Sequence, residues 1–220
     1  MTVVNQSPKR FVLLISGRGS NMQAIVNMAK NRPDIHIAAV ISHAKNSQGL
    51  VWAKEQGITV HEILHKNYDS RESFDMALQG IIDGYEPDYV LLAGFMRILT
   101  EKFVRHFQGR LINIHPSLLP SFPGLDTHQQ ALDAGVKLHG CTIHFVTPVL
   151  DHGPIIAQSA VPVLETDTAS ELAGRVLQME HLMFPAVVAY LAEGLVELGD
   201  NGNVIYKREV QSLFMFSQKG

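Results

Sequence analysis

Apolar runs alternate with longer amphipathic segments along the first half of the chain. A continuous apolar run such as FVLLIS is typical of a strand buried on both faces, and the segments between the runs have helical spacing. The pattern predicts strands at residues 11–16, 35–42, 58–63, 88–94 and 110–115. It predicts helices between them, at about 21–31, 48–56 and 71–84, with Gly57 ending the second helix and Ser70 capping the third.

The second half of the chain has a different pattern. Residues 138–147 and 154–163 predict two strands with only a short turn between them. A long helix at about 168–193 follows, and then a hairpin that turns at Asp200, Asn201 and Gly202. We therefore expect an α/β protein with a Rossmann-like, mostly parallel twisted sheet, helices on both faces and an antiparallel C-terminal addition.

The domain organisation predicted for the 220 residues is simple. No linker, repeat or low-complexity tract interrupts the pattern, so residues 1–220 are assigned to one domain. Residues 1–9 are expected to form a disordered or extended lead, and residues 195–220 a terminal hairpin and tail.

Composition excludes several classes of function. Hydrophobic residues are 46% and charged residues 18% of the chain, with a formal net charge of -3, as is typical of a soluble globular protein. No Lys/Arg-rich run indicates a nucleic-acid partner, and no apolar stretch reaches the roughly 20 residues that a membrane helix needs. The single cysteine, Cys141, excludes an internal disulfide framework and, with no signal-like start, predicts a reducing cytoplasm.

The segment SGRGSN, residues 16–21, lies between the first predicted strand and the first predicted helix. Backbone N–H groups at such a helix N-terminus form an anion site, and two glycines let a phosphate approach the main chain. A dinucleotide is rejected, because Met22 replaces the third glycine of that fingerprint and no acidic residue ends the second strand. A single phosphate group is the predicted ligand, and the alternative is a plain turn with Ser20 or Asn21 as the helix cap.

The segment HEILH, residues 61–65, matches the zinc-protease pattern H-E-x-x-H. That pattern works on a helix, where both imidazoles lie on one face. Here it occupies a strand end and a loop, which leaves His61 and His65 too far apart for one metal ion. The histidines at 139, 144 and 152 lack metal-ligand spacing as well, so no metal is predicted.

Two polar side chains interrupt the strand RLINIH. Asn113 and His115 are two residues apart, so both project to one side near the end of a strand, where open α/β sheets bind ligands. An amide beside an imidazole suits a carbonyl whose oxygen gains negative charge, because Asn can donate to that oxygen and a protonated His can donate a hydrogen bond or a proton. The alternative is a capped strand end with a satisfied polar pair.

A carboxylate, Asp151, follows a later strand in the turn LDHG. Placed near His115, it would hold the tautomer of the ring and support its charged form. Without such a neighbour it is an ordinary aspartate turn. Of the histidines in this part of the chain, His144 is the one expected to line the site.

Five segments occur in the order found in the folate-dependent formyltransferases: ISGRGSN, DSRESFD, LAGFMRILT, INIHPSLLPSFPG and HFVTPVLDHGPII. Together they lie between residues 11 and 180, so the resemblance covers most of the chain. It implies the formyltransferase fold and direct transfer of a formyl group from 10-formyltetrahydrofolate, through a tetrahedral intermediate and without a metal. The Gly-Ser-Asn loop and AGFMRIL resemble the members that formylate the amine of N1-(5-phosphoribosyl)glycinamide in purine synthesis.

The resemblance also implies roles for individual residues. The expected catalytic residues are Asn113, His115 and Asp151. The ribosyl phosphate is expected on Gly19, Ser20 and Asn21, with Glu180 on the sugar hydroxyls. The implied folate-binding residues are Arg71, Met96, Arg97, Ile98, Leu99, Asn113, Thr147, Pro148, Val149, Leu150 and Asp151. For the two arginines, the alternative is an ordinary solvated position.

Two other functions stay open beside the transferase. One is a catalytically silent phosphate- or folate-binding module, and the other is a hydrolase that releases formate. The intact set of Asn, His and Asp favours an enzyme, and the phosphate loop favours transfer over hydrolysis. Arg18 and His152 depart from the family pattern, in the glycine loop and after the aspartate respectively. The expected partners are small molecules, with no nucleic acid or membrane, and the expected state is a monomer or weak homodimer.

Overall fold

The computed structural model describes residues 7–217, so the ends of the predicted lead and tail, residues 1–6 and 218–220, lie outside the described part. The strands are β1 (Lys9–Ile15), β2 (Ile35–Ser42), β3 (Val60–Glu62), β4 (Tyr89–Leu92), β5 (Leu111–His115), β6 (Leu138–Phe145), β7 (Ile155–Pro162), β8 (Val196–Leu198), β9 (Val204–Tyr206) and β10 (Leu213–Met215). The α-helices are α1 (Ser20–Ala29), α2 (Gln48–Glu55), α3 (Arg71–Asp83), α4 (Glu101–His106), α5 (Thr127–Asp133) and α6 (Ala169–Ala192).

Eight of the described strands form one sheet in the order β10-β7-β6-β5-β4-β1-β2-β3. The five strands from β5 to β3 in that order are parallel to one another. Strand β6 is antiparallel to both β5 and β7, and β10 is parallel to β7. Strands β8 and β9 form a separate antiparallel pair. The predicted mostly parallel sheet with an antiparallel C-terminal addition is confirmed.

Alternation along β1 shows how both faces of the sheet are covered. Phe11, Leu13 and Ile15 belong to an apolar cluster that includes residues of α1 and α6. Val12 and Leu14 belong to a second cluster, which includes residues of α3 and α4. Because both faces meet helices, residues 11–15 of the strand are all apolar and buried, as the sequence pattern indicates.

The ends of the longer helices follow local sequence signals. Ser70 accepts from the Ser73 N–H in a reciprocal capping box at the start of α3, as predicted. Thr168 and Glu171 form the same arrangement at the start of α6. Gly57, in the left-handed region at φ 77°, follows the C-cap of α2, which agrees with its predicted place. No helix between residues 7 and 217 is long and apolar enough to cross a membrane.

The structure contains elements that the sequence pattern did not predict. Helices α4 and α5 have six and seven residues, too few for a clear apolar period. Strand β10 has three residues, of which only Phe214 is buried. The expected short turn between β6 and β7 was wrong, since the connection runs from residue 146 to residue 154. There Gly153 passes Phe145 so closely that an added Cβ would lie 1.6 Å from the Phe145 carbonyl oxygen.

The order of the strands determines where a ligand can bind. From β1 the chain proceeds outward through β2 and β3, and then returns to place β4 on the other side of β1. In an open α/β sheet, a crevice forms at such a reversal, beyond the carboxyl ends of the strands. The residues that follow β1 and β4, and those at the end of β5, therefore share one edge of the sheet.

Candidate active site

Asn113 and His115 lie on β5, two residues apart, as the sequence indicates. Asn113 is opposite Leu92 on one neighbouring strand and His144 on the other. His115 is the last residue of the strand, and it is only 5% exposed. The strand thus places an amide and a buried imidazole next to each other at the edge where a ligand can bind.

The structure brings Asp151 to His115. The distance from His115 Nδ1 to Asp151 Oδ1 is 3.6 Å, and both side chains are largely buried. The other carboxylate oxygen of Asp151 accepts the Gly124 N–H at 2.9 Å. On the far side of the ring, His115 Nε2 lies 3.1 Å from the Phe122 carbonyl oxygen. A carbonyl only accepts, so Nε2 carries a proton in this contact, and a charged ring would face an acceptor on each side.

His144 fixes the orientation of the Asn113 amide. Its ring is 2% exposed, with Nδ1 at 3.0 Å from the Phe145 carbonyl oxygen and Nε2 at 3.2 Å from Asn113 Nδ2. The carbonyl requires a proton on Nδ1, so Nε2 is free to accept from the amide. Burial lowers the pKa of His144, which favours this neutral form. The second Nδ2 hydrogen of Asn113 remains available to a ligand.

The proline-containing loop after β5 is anchored from two strands. Thr142 Oγ1 on β6 donates to the Ser117 carbonyl at 2.7 Å and accepts the Leu119 N–H at 3.0 Å. Gln158 Nε2 on β7 donates to the Leu119 carbonyl at 2.9 Å. These bonds hold the start of the loop that carries Phe122 and Gly124, whose backbone groups contact the catalytic candidates. Sequence reasoning missed those two residues, because a backbone partner leaves no side-chain signal.

The glycine loop exposes the start of α1. Gly19, at φ 69°, is the N-cap residue, and no side chain caps the helix. The alternative in which Ser20 or Asn21 is the cap is therefore wrong. The bond from the Gln23 N–H to the Gly19 carbonyl, at 2.9 Å, is the first of the helix. The backbone N–H groups of residues 20–22 precede it and have no partner within the helix, which leaves them available to an anion.

Asn21 and Glu180 join the glycine loop to α6. Asn21 Nδ2 donates to Glu180 Oε2 at 2.6 Å, and both residues are 7% exposed. Burial raises the pKa of Glu180, while the bond from Asn21 opposes that shift. The Asn21 Oδ1 atom is buried and has no hydrogen-bond partner among the described residues. An uncompensated acceptor next to a carboxylate is an arrangement that suits hydroxyl donors.

The implied folate-binding segments contain exposed apolar side chains. Met96 and Ile98 follow β4 and are 68% and 59% exposed, and Val149 and Leu150 lie in the loop that ends at Asp151, at 61% and 52%. Leu125, 70% exposed and next to Gly124, was not among the predicted residues. Large apolar side chains left open beside a polar centre are typical of a ligand site.

The two arginines of the predicted folate site differ in environment. The Arg97 guanidinium lies 4.4 Å from the centre of the Phe74 ring, and its Nε atom is buried. It is therefore not the solvated arginine of the alternative interpretation. Arg71 is exposed at the first position of α3. Of the other residues implied to bind the folate, Leu99 is half-buried. Thr147 donates to the Val149 carbonyl at 3.2 Å, across Pro148.

The segment HEILH is not on an α-helix. His61 lies on β3 and its Nε2 is 2.6 Å from the Tyr85 hydroxyl, whereas His65 begins a short 3₁₀ turn. This agrees with the predicted strand end and loop, since β3 ends at Glu62. Between residues 7 and 217, no group of three or more His, Cys, Asp or Glu side chains is placed to hold a metal ion.

Comparison with known proteins shows the family of this chain. Residues 9–188 match the model of a protein family described as formyl transferase. The chain belongs to the formyl transferase family. The site residues from the glycine loop to Glu180 all lie within the matched range.

Individual relatives of this formyl transferase cover nearly all of its length. It is 47% identical over 191 residues to the phosphoribosylglycinamide formyltransferase of Escherichia coli, covering 86% of this chain and 90% of the relative. The crystal structure of the enzyme of that name from Anaplasma phagocytophilum superposes with a TM-score of 0.88 at 41% identity, covering 96% of this chain and all of that one. A trifunctional purine biosynthetic protein of Bos taurus is 45% identical over 207 residues, which are 94% of this chain and 20% of the bovine protein.

Proposed function

We propose that this formyl transferase moves the formyl group of 10-formyltetrahydrofolate to the amine of N1-(5-phosphoribosyl)glycinamide in purine synthesis. The observation that carries the proposal is the convergence of Asn113, His115 and Asp151 on the edge of the sheet that also holds an open helix N-terminus. The printed names of the E. coli and Anaplasma relatives support the choice of substrates.

In the proposed reaction, the neutral amine attacks the formyl carbon directly. A C–N bond to the acceptor forms, the formyl oxygen gains negative charge, and the bond to the folate nitrogen then breaks. The free Nδ2 hydrogen of Asn113 donates to the charged oxygen, as does the imidazole of His115. Because His115 Nε2 faces Phe122 in this conformation, the ring or its loop must shift for that proton to reach the substrate.

Proton transfer completes the exchange. The attacking nitrogen loses one proton and the folate nitrogen gains one, so no net proton is released. Asp151 is the carboxylate near His115 and can accept the proton of the attacking amine, directly or through water. Its charge also stabilises a protonated His115 while the tetrahedral intermediate exists. No covalent bond to the protein is needed, because the amine attacks the formyl carbon directly, and the single cysteine, Cys141, is fully buried.

The two substrates, the ribonucleotide that accepts the formyl group and the folate that donates it, are assigned to different parts of the sheet edge. The phosphate lies on the N–H groups around Gly19, Ser20 and Asn21, where the helix N-terminus favours an anion. The sugar hydroxyls donate to Glu180 and to the oxygen of Asn21 that has no hydrogen-bond partner among the described residues. The folate lies on residues 96–99 and 147–151, whose apolar side chains cover its rings, and the arginines at 71 and 97 attract its carboxylates.

The proposal extends to the broader properties of the protein. Residues 1–220 act as one domain with small-molecule substrates, as a monomer or weak homodimer. The buried thiol of Cys141 suits a reducing cytoplasm. Sedimentation of the purified protein measures its oligomeric state, and a stable tetramer would contradict this part of the proposal.

A folate-absorbance assay tests the function. The purified protein is mixed with 10-formyltetrahydrofolate, with and without the glycinamide ribonucleotide, and production of tetrahydrofolate is followed. We expect turnover only when the amine is present, together with the formylated product. Turnover without the amine, with release of formate, would support the hydrolase instead. Binding of both ligands without turnover would support the silent module.

A further inference from the structure

Ser16 connects three neighbouring strand ends through one hydroxyl group. It follows β1 directly and is the first residue of the glycine loop. Its Oγ accepts the backbone N–H of Met96, which follows β4, at 2.6 Å. The same Oγ lies 2.8 Å from Nε2 of His43, which follows β2 directly. Strands β4, β1 and β2 are adjacent in the sheet, so the hydroxyl lies at the middle of the three.

The direction of these bonds follows from the atoms involved. A backbone N–H can only donate, so the Ser16 oxygen accepts from Met96. The hydroxyl proton is then free to go to His43 Nε2, which must accept it as a neutral ring. The surroundings of His43 favour that form, because burial and the nearby Arg97 and His65 lower its pKa. The edge-on contact with Phe95, at 4.9 Å between ring centres, limits where the imidazole can move.

Apart from the bond of Ser16, no hydrogen bond of the described residues joins the glycine loop to the segment from Met96 to Leu99. On one side, the Gly17 carbonyl accepts the Gly49 N–H at 3.0 Å and the Ser47 hydroxyl at 2.8 Å, which ties the glycine loop to α2. On the other side, the chain leaves β4 through Gly94, at φ 82°, and exposes the side chain of Met96. Only the amide of Met96 is bound to the glycine loop, through Ser16.

We propose that Ser16 is a positioning residue for formyl transfer: its hydroxyl, oriented by His43, sets the distance between the phosphate loop and the segment from Met96 to Leu99. This inference rests on the proposed function, in which the first segment holds the acceptor and the second holds the donor. An error of about 1 Å between two reactants can cost a hundredfold in rate. A bond that joins the two binding segments therefore affects both substrates, although Ser16 touches neither reacting atom.

The test measures the affinity for each substrate separately in variants at the two positions. Ser16→Ala removes the acceptor of the Met96 amide, and His43→Phe keeps a ring but removes the acceptor of the hydroxyl. We expect each variant to raise the dissociation constants of 10-formyltetrahydrofolate and of the ribonucleotide by about threefold to tenfold, and to lower kcat. His43→Gln, which keeps an acceptor, should restore much of the loss. The double variant should be little worse than Ser16→Ala alone, because both changes break one arrangement.

A matched control separates positioning from stability. Thr168→Ala removes a hydroxyl that caps α6, so it should lower the melting temperature without changing either affinity or kcat. Ser16→Ala with both affinities within twofold of the wild type would overturn the inference, as would strict additivity with His43→Phe. Failure of the proposed function looks different, since the wild-type protein itself would then not bind the two substrates or turn them over.

Discussion

Asn113 uses a single carboxamide for two purposes. One Nδ2 hydrogen is held by the neutral ring of His144, and the other is the one that we propose stabilises charge on a substrate oxygen. A donor that is already oriented costs no reorganisation when the charge develops, which is why such groups contribute strongly to catalysis. The amide and its imidazole partner can therefore be tested one at a time.

Replacement of Asn113 removes the proposed donor to the formyl oxygen. We expect Asn113→Ala to lower kcat by about a hundredfold or more, with little change in either KM, because the bond strengthens only in the transition state. His115→Ala should be at least as severe. Steady-state kinetics with both substrates measures these effects. A variant whose loss lies entirely in KM would show that Asn113 binds the substrates but does not stabilise the transition state.

Replacement of His144 tests the orientation of that donor. His144→Phe fills similar space but leaves both the Asn113 amide and the Phe145 carbonyl without their partner. We expect kcat to fall by about tenfold with the KM values retained, and the free energy of unfolding to fall by about 1–3 kcal/mol. Kinetics and urea unfolding provide the two measurements. If kcat stayed at the wild-type value while stability fell, His144 would have only a structural role.

At the scale of an element, the conformation of the glycine loop depends more on Gly19 than on Gly17. An added Cβ at Gly19 would lie 2.9 Å from Met22 Cε, and the φ of 69° is costly for any other residue, at about 1–2 kcal/mol. Gly17 has open space around its Cβ position and no positive φ. The same substitution at the two positions therefore has different consequences for the first turn of α1.

Gly19→Val is expected to distort the amides that are proposed to bind the phosphate. It should raise KM for the ribonucleotide by tenfold or more and leave KM for the folate nearly unchanged. Gly17→Val is the matched control for chain stability and should unfold close to the wild-type temperature. Comparable losses for both substrates in Gly19→Val would indicate general misfolding and would contradict a local phosphate site.

The elements that the sequence predicts correctly are those with a long apolar pattern or with clear capping residues at their ends. Strand β2 was predicted with the bounds that it has, and α6 within one residue at each end, because apolar period and capping residues agree there. Helix α4 and strand β10 escaped prediction, since each is defined by tertiary contacts of few residues. In α4 only Phe103 and Val104 are buried, and no pattern can be counted from two positions.

The candidate site was predictable to the extent that side chains carry its chemistry. Asn113 and His115 were visible as polar residues inside an apolar strand. Their spacing of two residues predicted that both side chains project to the same side of the strand. The backbone groups of Phe122 and Gly124 were not visible, because any residue supplies a carbonyl and an amide. Ser16 was part of a recognised segment, but its partners come from two other strands, and such pairing depends on the order of the strands in the sheet.

For the whole molecule, the buried carboxyl of Glu180 makes stability depend on pH. Burial raises its pKa in the folded protein, so its contribution to stability is present below the pKa of the unfolded chain, about 4.3, and is lost as pH rises through the raised value. Glu180→Gln cannot ionise and keeps an acceptor for Asn21 only through its amide oxygen.

We expect Glu180→Gln to be more stable than the wild-type protein at neutral pH. The difference in the free energy of unfolding should shrink as pH falls toward about 4, where both side chains are uncharged. Urea unfolding of the two proteins at a series of pH values measures it. If the difference in the free energy of unfolding stayed constant with pH, ionisation of the buried Glu180 would not be its cause. The variant should bind the ribonucleotide more weakly, which separates its stability from its function.

The contact between Asn21 and Glu180 also has a consequence for the order in which the site is made during translation. The carboxylate partner on α6 is synthesised 159 residues after the amide. A nascent chain that stops before α6 leaves that amide without its acid. Such a chain can contain the Asn, His and Asp of the reaction centre and still lack the group proposed for the sugar. Ribosome-stalled chains that end before Glu180 should therefore not bind the ribonucleotide.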